Sequence, residues 1–247
     1  VGFHDFLCVL MSGNKIAMKL SSDDKILMKA VAEKLVDIEP RFSDKIIFTE
    51  KMKGMDAVIA TGSNNTSRYF EYYFSKYPHI IRKNRSSVAV LSGDETEDQL
   101  KGLGKDIFSY FGLGCRNVSK LFVPENYSFN TFFESIYNFN YVIYNKKYAN
   151  NYDYNRTVYL MNSIPVLDNN FLLLKKDAGY HSPVGVLHYE NYADLNSLRE
   201  RLRMDAAKIQ CIVSDSMKEG VPFGKSQCPQ VWDYADGTDT IKFLLSL

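Results

Sequence analysis

The chain has 247 residues, of which 45% are hydrophobic and 24% are charged, and this excludes intrinsic disorder. That much apolar material can build one large domain or two smaller ones. Thirty Lys and Arg residues against 29 Asp and Glu residues leave a net charge of +1, so charge offers no attraction to nucleic acid or anionic lipid. We therefore expect a small-molecule substrate and no nucleic-acid partner.

The chain shows neither a membrane segment nor a disulfide or metal pattern. No apolar run approaches the roughly 20 residues that a membrane helix needs. Cys8, Cys115, Cys211 and Cys228 lie far apart without CxxC spacing, and the four histidines lack metal-ligand spacing. We expect no membrane span, no metal and a reducing, cytoplasmic location. The opening run, residues 1–6, is typical of the interior of a fold, so we also expect further sequence upstream.

The first third of the chain predicts alternating helices and strands. Apolar spacing predicts a short helix over 3–12, which ends at Gly13. The elements predicted next are a strand over 15–20, a helix ending near Pro40, strands over 45–48 and 56–60, and a helix over 65–76. Because the strands are continuously apolar, we predict an α/β fold with a parallel sheet covered on both faces.

A basic stretch, residues 82–85, indicates a domain boundary, which gives domains of 1–84 and 85–247. The elements predicted around and beyond it are strands over 79–81, 87–91, 119–123, 164–167, 170–175, 184–188 and 209–213, and helices over 95–110, 128–140 and 191–204. The Asn-rich segment 148–154 could hydrogen-bond a polar substrate, although its Asn and Asp residues favour a surface loop. The apolar end, residues 240–247, predicts a final strand.

Cys115 is the candidate nucleophile because of its local sequence. Two glycines, Gly112 and Gly114, precede the thiol, and a predicted strand follows it. Such a turn lets a ligand approach the backbone, and the charge of Arg116 favours the thiolate. The alternative is a small buried hydrophobic residue. We predict such a core position for Cys8 and Cys211, whereas Cys228, in a loop, is open to either interpretation.

The segment Thr61, Gly62 and Ser63 lies between a predicted strand and a predicted helix, where free N–H groups can bind phosphate. An ordinary turn capped by Ser63 is an equal alternative. Lys19, at the end of an earlier strand, could reach a nucleotide or simply be solvated. The aromatic run 68–77 predicts a packed helix face, with binding of an acyl chain as the alternative.

Five motifs in this order resemble the aldehyde dehydrogenase superfamily, and most closely its LuxC-type acyl-CoA reductase branch. They are Gly13-Asn14 through Lys19-Leu20-Ser21, Ala60-Thr61-Gly62-Ser63, Gly112-Leu113-Gly114-Cys115, His181-Ser182-Pro183-Val184 and Pro222-Phe223-Gly224. They look like the family's Lys-Pro-Ser strand, Phe-Thr-Gly-Ser turn, catalytic-cysteine segment, Phe-Gly-Pro-Val and late Pro-Phe-Gly. The resemblance spans nearly the whole chain.

The resemblance implies a Rossmann-type cofactor domain, represented by its later part at 1–84, and an α/β catalytic domain at 85–247. It implies that Cys115 is the catalytic nucleophile and that the cofactor is NADPH or NADH. The implied cofactor-binding residues are Lys19, Ser21, Ser22, Thr61, Gly62 and Ser63. Ser22 stands where NAD-preferring relatives often carry a ribose-binding glutamate, which favours NADPH. The family also suggests a homo-oligomer, at least a dimer.

The sequence departs from the family pattern in two places. Residues 80–87 lack the carboxylate that serves oxidising members as general base, and Ala178 or Gly179 stands where the family has a ribose-binding glutamate. We therefore predict reduction of a long-chain acyl-CoA to the aldehyde through a cysteine thioester. The alternatives are an aldehyde dehydrogenase that works in the oxidative direction, hydrolytic or CoA-acylating, and a non-catalytic nucleotide-binding scaffold.

Overall fold

The structure is a computed structural model that describes residues 2–21 and 24–247. The chain divides into two compact units. The first contains the residues up to Asn84 together with Val231–Leu247, and the second is Arg85–Gln230. Helices alternate with parallel strands in the described chain, so the predicted α/β class is confirmed.

Helices and strands follow one another closely along both units. The α-helices are α1 (Phe3–Met11), α2 (Leu27–Ile38), α3 (Asn64–Phe74), α4 (Glu97–Phe108), α5 (Asn130–Ser135), α6 (Lys146–Met161), α7 (Leu195–Met204) and α8 (Thr240–Leu245). The strands are β1 (Ile16–Met18), β2 (Ile46–Phe48), β3 (Val58–Thr61), β4 (His79–Arg82), β5 (Ser86–Val90), β6 (Val118–Pro124), β7 (Val166–Asp168), β8 (Leu173–Lys176), β9 (Val186–Tyr192) and β10 (Ile209–Val213). Short 3-10 helices lie at Pro40–Phe42, Ser109–Gly112, Tyr137–Tyr144, Ala206–Lys208 and Ala235–Gly237.

The first unit contains two parallel strand pairs, β1 with β2 and β3 with β4. One face of α1 buries Phe6 against Met28 of α2. Another face buries Cys8 in a cluster against which Ile16 of β1 and Ile59 of β3 both pack. The helix ends as predicted, because Gly13 adopts a left-handed φ of 80°. The strands that carry the predicted cofactor residues therefore share one small core.

The predicted strand over 240–247 is wrong. This segment forms helix α8, which begins after Asp239, whose side chain accepts a hydrogen bond from the Lys242 N–H. Leu244 then packs against Cys8. The apolar run is helical because its N-cap and its contact with α1 both favour a helix over a strand. Residues 231–247 group with the first unit, so the second unit ends at Gln230 rather than at Leu247.

The second unit is built on a six-stranded sheet with the order β10-β5-β6-β9-β8-β7. All neighbouring strands are parallel except the edge pair β7 and β8. Successive side chains of β5 point to opposite faces, so Val88 packs with Leu202 of α7 while Ala89 packs with Leu103 of α4. The predicted parallel sheet, covered on both faces, is confirmed for this unit.

Helix α6 contains the segment 148–154, for which we favoured a loop. Asn145 caps the helix through its side-chain oxygen, which accepts hydrogen bonds from the Lys147 and Tyr148 N–H groups. Tyr148, Tyr152 and Tyr159 are buried at helical spacing. The aromatic periodicity therefore decides the structure of the segment. Most polar residues between the tyrosines are exposed, whereas Asn155 is buried and donates to the Asn151 carbonyl.

The aromatic run in α3 is only partly packed. Phe70 and Phe74 are half-buried, with ring centroids 5.9 Å apart. Tyr69, Tyr72 and Tyr73 are exposed, so the prediction of a packed aromatic face is wrong for these three residues. In the part of the chain that the structure describes, no helix combines the length and apolar character needed to cross a bilayer.

Candidate active site

Cys115 lies in a tight turn that we call the Cys115 turn, residues 114–117. It follows the 3-10 helix Ser109–Gly112 and leads directly into β6. The Asn117 N–H donates to the Gly114 carbonyl (3.0 Å), which places Cys115 at the second position of a closed turn. Cys115 is exposed, and within residues 2–21 and 24–247 nothing accepts a hydrogen bond from its backbone N–H. Its thiol and its N–H are therefore both available to a ligand.

The side chain of Asn117 holds the Cys115 turn from its buried side, since this residue is only 5% exposed. Its Oδ1 accepts a hydrogen bond from the Gly114 N–H (2.7 Å). Its Nδ2 donates towards the carbonyls of Asp106, Ile107 and Ser109, at 2.9, 3.2 and 2.9 Å. This one side chain satisfies carbonyls at the end of α4, which have no helical partner, and binds the turn to them.

Between α4 and the Cys115 turn the backbone takes an unusual course. Tyr110, Phe111 and Gly112 have φ values of 53°, 58° and 75°, so three successive residues are left-handed. Glycine adopts this conformation freely, but an aromatic residue there costs on the order of 1–3 kcal/mol. Phe111 packs against the core, whereas Tyr110 is exposed. The segment before the candidate nucleophile is therefore strained and held by its surroundings.

Ser87 holds the carbonyl of Cys115. Its Oγ donates to that carbonyl (3.0 Å), and the Cys211 thiol donates in turn to the Ser87 Oγ (3.2 Å). Cys211 is buried, and burial raises the pKa of its thiol, although the Ser87 hydrogen bond and the charge of Arg116 oppose this. Cys211 is thus a core residue, as predicted, that supports the hydroxyl under the turn.

A third contact joins the Cys115 turn to the segment 222–227, which carries the Pro-Phe-Gly motif. Asp106, which is buried, accepts hydrogen bonds from the N–H groups of Gly224 (2.6 Å) and Ser226 (2.9 Å). Arg116 donates to the Ser226 carbonyl. Burial raises the pKa of Asp106, while these N–H donors and the charge of Arg116 act against the rise. The structure therefore brings this predicted motif to the predicted nucleophile.

The motif at 181–184 lies at the same edge of the sheet. Strands β6 and β9 are parallel neighbours, so the residues that precede them, Cys115 and Pro183 among them, lie at the edge where both strands begin. The Ser119 Oγ donates to the Tyr180 carbonyl (2.8 Å), and the Ser182 Oγ donates to the Val186 carbonyl. The first contact attaches the residue directly before the motif to β6, the strand that follows the Cys115 turn, and the second holds the motif against the start of β9.

Lys120 is completely buried and fixes the segment before that motif. Its Nζ donates to the carbonyls of Asp177 (3.0 Å) and Ala178 (2.8 Å) and to the Glu190 carboxylate (2.7 Å). Burial lowers the pKa of Lys120, and the bond to Glu190 opposes this effect. At Ala178, where the family would have a ribose-binding glutamate, the backbone carbonyl is thus held by a hydrogen bond from Lys120.

The predicted cofactor residues lie in the first unit. Thr61 ends β3, and Ser63 caps α3 by accepting a hydrogen bond from the Thr66 N–H (3.2 Å). A Cβ on Gly62 would lie 3.0 Å from the Thr66 side chain, so only glycine lets the turn approach the helix this closely. The helical N–H groups before Thr66 have no partner within α3, which is the donor set that a nucleotide phosphate needs.

The remaining predicted cofactor residues follow β1. Lys19 and Ser21 are exposed, and Ser22 lies outside the described residues. The argument for NADPH, which rests on Ser22, therefore stays a prediction. Across residues 2–21 and 24–247, no group of three His, Cys, Asp or Glu residues is placed to hold a metal ion.

Solved structures of known proteins match this architecture. The chain shares the fold of the aldehyde dehydrogenases. The matching structures include aldehyde dehydrogenase PutA of Anabaena variabilis (TM-score 0.65, 12% identity, 93% of this chain and 61% of that one). They also include the NAD⁺ complex of an aldehyde dehydrogenase from Bacillus cereus (TM-score 0.60, 14% identity, 87% of this chain and 53% of that one).

 

The chain spans about three fifths of the first of these structures and about half of the second. Comparison with protein-family models gives no match, and comparison with curated proteins gives none. At identities this low the likeness concerns the fold alone. The resemblance read from the five motifs is therefore confirmed at the level of the aldehyde dehydrogenase fold, and the acyl-CoA reductase branch stays a prediction.

The sequence analysis did not identify most of the side chains that hold the candidate nucleophile in this aldehyde dehydrogenase fold. It assigned no role to Asn117, Ser87 or Asp106. One signal for Asn117 was available: an asparagine two residues after the candidate nucleophile, directly before a strand, is a frequent turn residue. Nothing in the sequence indicates that it also binds the end of α4.

Proposed function

We propose that the protein is an NAD(P)H-dependent acyl-CoA reductase that forms an aldehyde through a thioester on Cys115. The observation that carries the proposal is the environment of Cys115. Its thiol is exposed at the corner of a turn, and its backbone N–H donates to no described residue. A nucleophile needs an accessible thiol, and stabilisation of an oxyanion needs a free N–H donor. The aldehyde dehydrogenase fold supports this assignment.

In the first step the Cys115 thiolate attacks the carbonyl carbon of the acyl-CoA. The Cys115 N–H donates to the developing oxyanion. The new carbon–sulfur bond forms as the bond to CoA breaks, and CoA leaves as a thiolate that takes a proton from solvent. The acyl group is then held as a thioester on Cys115.

The cofactor candidates are the N–H groups at the start of α3, with Ser63 as cap, and Lys19 after β1. When bound, the reduced nicotinamide supplies a hydride to the thioester. The carbon–sulfur bond to Cys115 then breaks, which releases the aldehyde and regenerates the thiolate. The net reaction consumes one acyl-CoA, one NAD(P)H and one proton, and yields aldehyde, CoA and NAD(P)⁺.

The composition of residues 80–87 argues against hydrolysis, although not against CoA acylation, and is compatible with the reductive direction. Hydrolysis of the thioester to an acid requires a general base that activates water, and this segment has no carboxylate. Its last residue, Ser87, already donates its hydroxyl hydrogen to the Cys115 carbonyl (3.0 Å). Reduction by hydride needs no such base.

The test follows the absorbance of NADPH and NADH in the complete natural protein, with acyl-CoAs of graded chain length. We expect consumption of cofactor only with acyl-CoA, and a loss of at least about 1,000-fold in the Cys115→Ala variant. Cys228→Ala is the matched control, because Cys228 is the other exposed cysteine. It should retain full activity, and the preferred chain length follows from the same data.

Two other results would replace the proposal. If the protein instead reduces NAD(P)⁺ with aldehyde, and CoA or water takes the acyl group, the enzyme works in the oxidative direction. If neither reaction occurs while nucleotide binds, the protein is a non-catalytic nucleotide-binding scaffold. Alkylation of Cys115 by iodoacetamide near neutral pH that is much faster than alkylation of Cys228, the other exposed cysteine, would count against the scaffold, because exposure alone would let the two thiols react alike.

A further inference from the structure

We infer that Asn117 is a positioning residue, which holds the thiol and the backbone N–H of Cys115 in register for the acyl transfer. The inference rests on the proposed function, but it concerns a residue to which neither the motifs nor the fold assigns a role. Asn117 does not need to touch substrate. It acts through the Cys115 turn, of which it is the last residue and whose first residue, Gly114, it binds.

The contacts of Asn117 lie on both sides of the strained segment 110–112. On one side its Nδ2 donates towards three carbonyls, those of Asp106, Ile107 and Ser109. On the other side its Oδ1 accepts from the Gly114 N–H (2.7 Å). One side chain therefore closes the loop that contains the three left-handed residues, and it resists their return to a relaxed backbone.

Gly114 permits this contact. A Cβ at this position would lie 2.7 Å from the Asn117 Oδ1, closer than a Cβ approaches an oxygen atom. Any larger residue at position 114 would therefore push the carboxamide away from its present position. Since Gly114 immediately precedes Cys115, the peptide that carries the Cys115 N–H is oriented by this contact.

Orientation of this peptide affects chemistry more than binding. The acyl carbon must meet the Cys115 sulfur while its oxygen meets the Cys115 N–H, so both groups have to be held together at the moment of attack. If the carboxamide is lost, the Gly114 N–H loses its acceptor and the turn can rotate. The remainder of the substrate would still bind as before.

The test compares Asn117→Ala, Gly114→Ala and the control Asn162→Ala in the complete natural protein. Asn117→Ala and Gly114→Ala disturb the same contact from its two sides, and we expect each to lower kcat by about 10- to 100-fold with little change in KM. The effects should not add in the double variant, because either change alone abolishes the contact. Asn162 donates to the Val158 carbonyl at the end of α6. Asn162→Ala therefore removes a comparable hydrogen bond from an asparagine side chain to a helix carbonyl, and it should leave kcat unchanged.

A second measurement does not depend on turnover. The rate of Cys115 alkylation by iodoacetamide should change by about tenfold in Asn117→Ala, because the orientation of the thiol controls its access to the reagent. Thermal unfolding of each variant shows whether a change in kcat or in alkylation rate merely reflects a destabilised fold. Gly114→Ala serves as the second variant if Asn117→Ala does not fold.

The outcomes separate the inference from the proposed function. If the wild type reduces acyl-CoA and both variants keep its kcat and its alkylation rate, the inference is overturned while the proposed function stands. If the wild type does not reduce acyl-CoA but the variants change the alkylation of Cys115, the positioning role stands and the proposed function fails. A parallel fall in kcat, alkylation rate and stability, matched by Asn162→Ala, would show a merely structural role and overturn the inference.

Discussion

The two turns that carry the predicted chemistry are held in different ways. The Cys115 turn depends on side chains from distant parts of the sequence, among them Ser87, 28 residues away, and Asp106 acting through the segment 222–227. The turn at residues 61–63, which we call the Ser63 turn, is held by a local contact. Ser63 caps α3 by accepting a hydrogen bond from the Thr66 N–H, three residues later. A nucleophile that must be oriented is fixed by tertiary contacts, whereas a helix N-terminus forms its anion-binding groups from local structure alone.

This difference has a physical reason. A strained backbone persists only where the surroundings determine it, and the left-handed residues before Cys115 need contacts from several elements. The Ser63 turn has no residue in the left-handed region. Variants that remove distant contacts should therefore affect the two turns unequally, and the predictions below measure how unequally.

The largest effect is expected from Asp106→Ala. This change leaves the N–H groups of Gly224 and Ser226 without their acceptor in a buried position, which should lower the free energy of unfolding by about 2–4 kcal/mol. Urea denaturation measures it, with the exposed Glu200→Ala as control. Arg116, next to Cys115, also contacts the segment 222–227. Loss of the segment's position should therefore disturb the Cys115 turn and lower the rate of cofactor consumption. An Asp106→Ala protein as stable as the control would mean that the segment is held by other contacts.

A smaller effect is expected from pH, through the buried His188. Its Nδ1 donates to the Gly179 carbonyl (3.0 Å), and the charged groups around it are Asp177, Lys175 and Lys120. Burial lowers the pKa of His188, so the folded protein prefers the neutral imidazole. The resulting stability is complete above the unfolded pKa of about 6.5 and is lost as pH falls through the lowered folded pKa.

The variant His188→Gln keeps a donor for the Gly179 carbonyl but does not titrate. Urea denaturation between pH 8 and pH 5 should show that the wild type loses stability faster than the variant, by at most about 1.4 kcal/mol per pH unit for one proton. Stability curves that run parallel in the two proteins would assign the pH dependence to other groups.

The smallest expected effect is at the Ser63 turn. Ser63→Ala removes the cap of α3 and should lower the free energy of unfolding by about 1 kcal/mol. Thr96→Ala is the matched control, because Thr96 caps α4 with the same geometry. If the Ser63 turn binds the cofactor phosphate, only Ser63→Ala should also weaken NAD(P)H binding, as measured by fluorescence titration. An equal affinity in both variants would leave Ser63 with a purely structural role.

Much of the fold could be predicted because the strands of the second unit are continuous apolar runs. Strands β5, β6 and β10 lie within a residue of their predicted positions, and their parallel pairing follows from burial on both faces. The end of the chain was mistaken for a strand because a short apolar run has no period that separates a strand from a helix. Its N-cap Asp239 and its contact with α1 decided the matter.

The candidate site was predictable where a motif is local. Gly114 and Cys115 indicate a turn with an accessible thiol, and Ser63 indicates a helix start, from neighbouring residues alone. The contacts of Asn117 with the end of α4, and of Ser87 with the Cys115 carbonyl, join positions 10 or more residues apart. Their spacing follows no period, so sequence alone gives no sign of them.

By itself, then, the sequence determined the α/β class, the strands of the large sheet, the exposed nucleophile candidate and the capped start of α3. These features depend on the apolar pattern and on residues within one turn of each other. Only the tertiary structure decided that residues 231–247 belong with the first unit, and that contacts of Ser87, Arg116 and Asn117 with distant parts of the chain hold the Cys115 turn. Such contacts form when whole elements pack, because burial makes every unpaired polar group costly and so selects the side chains that pair.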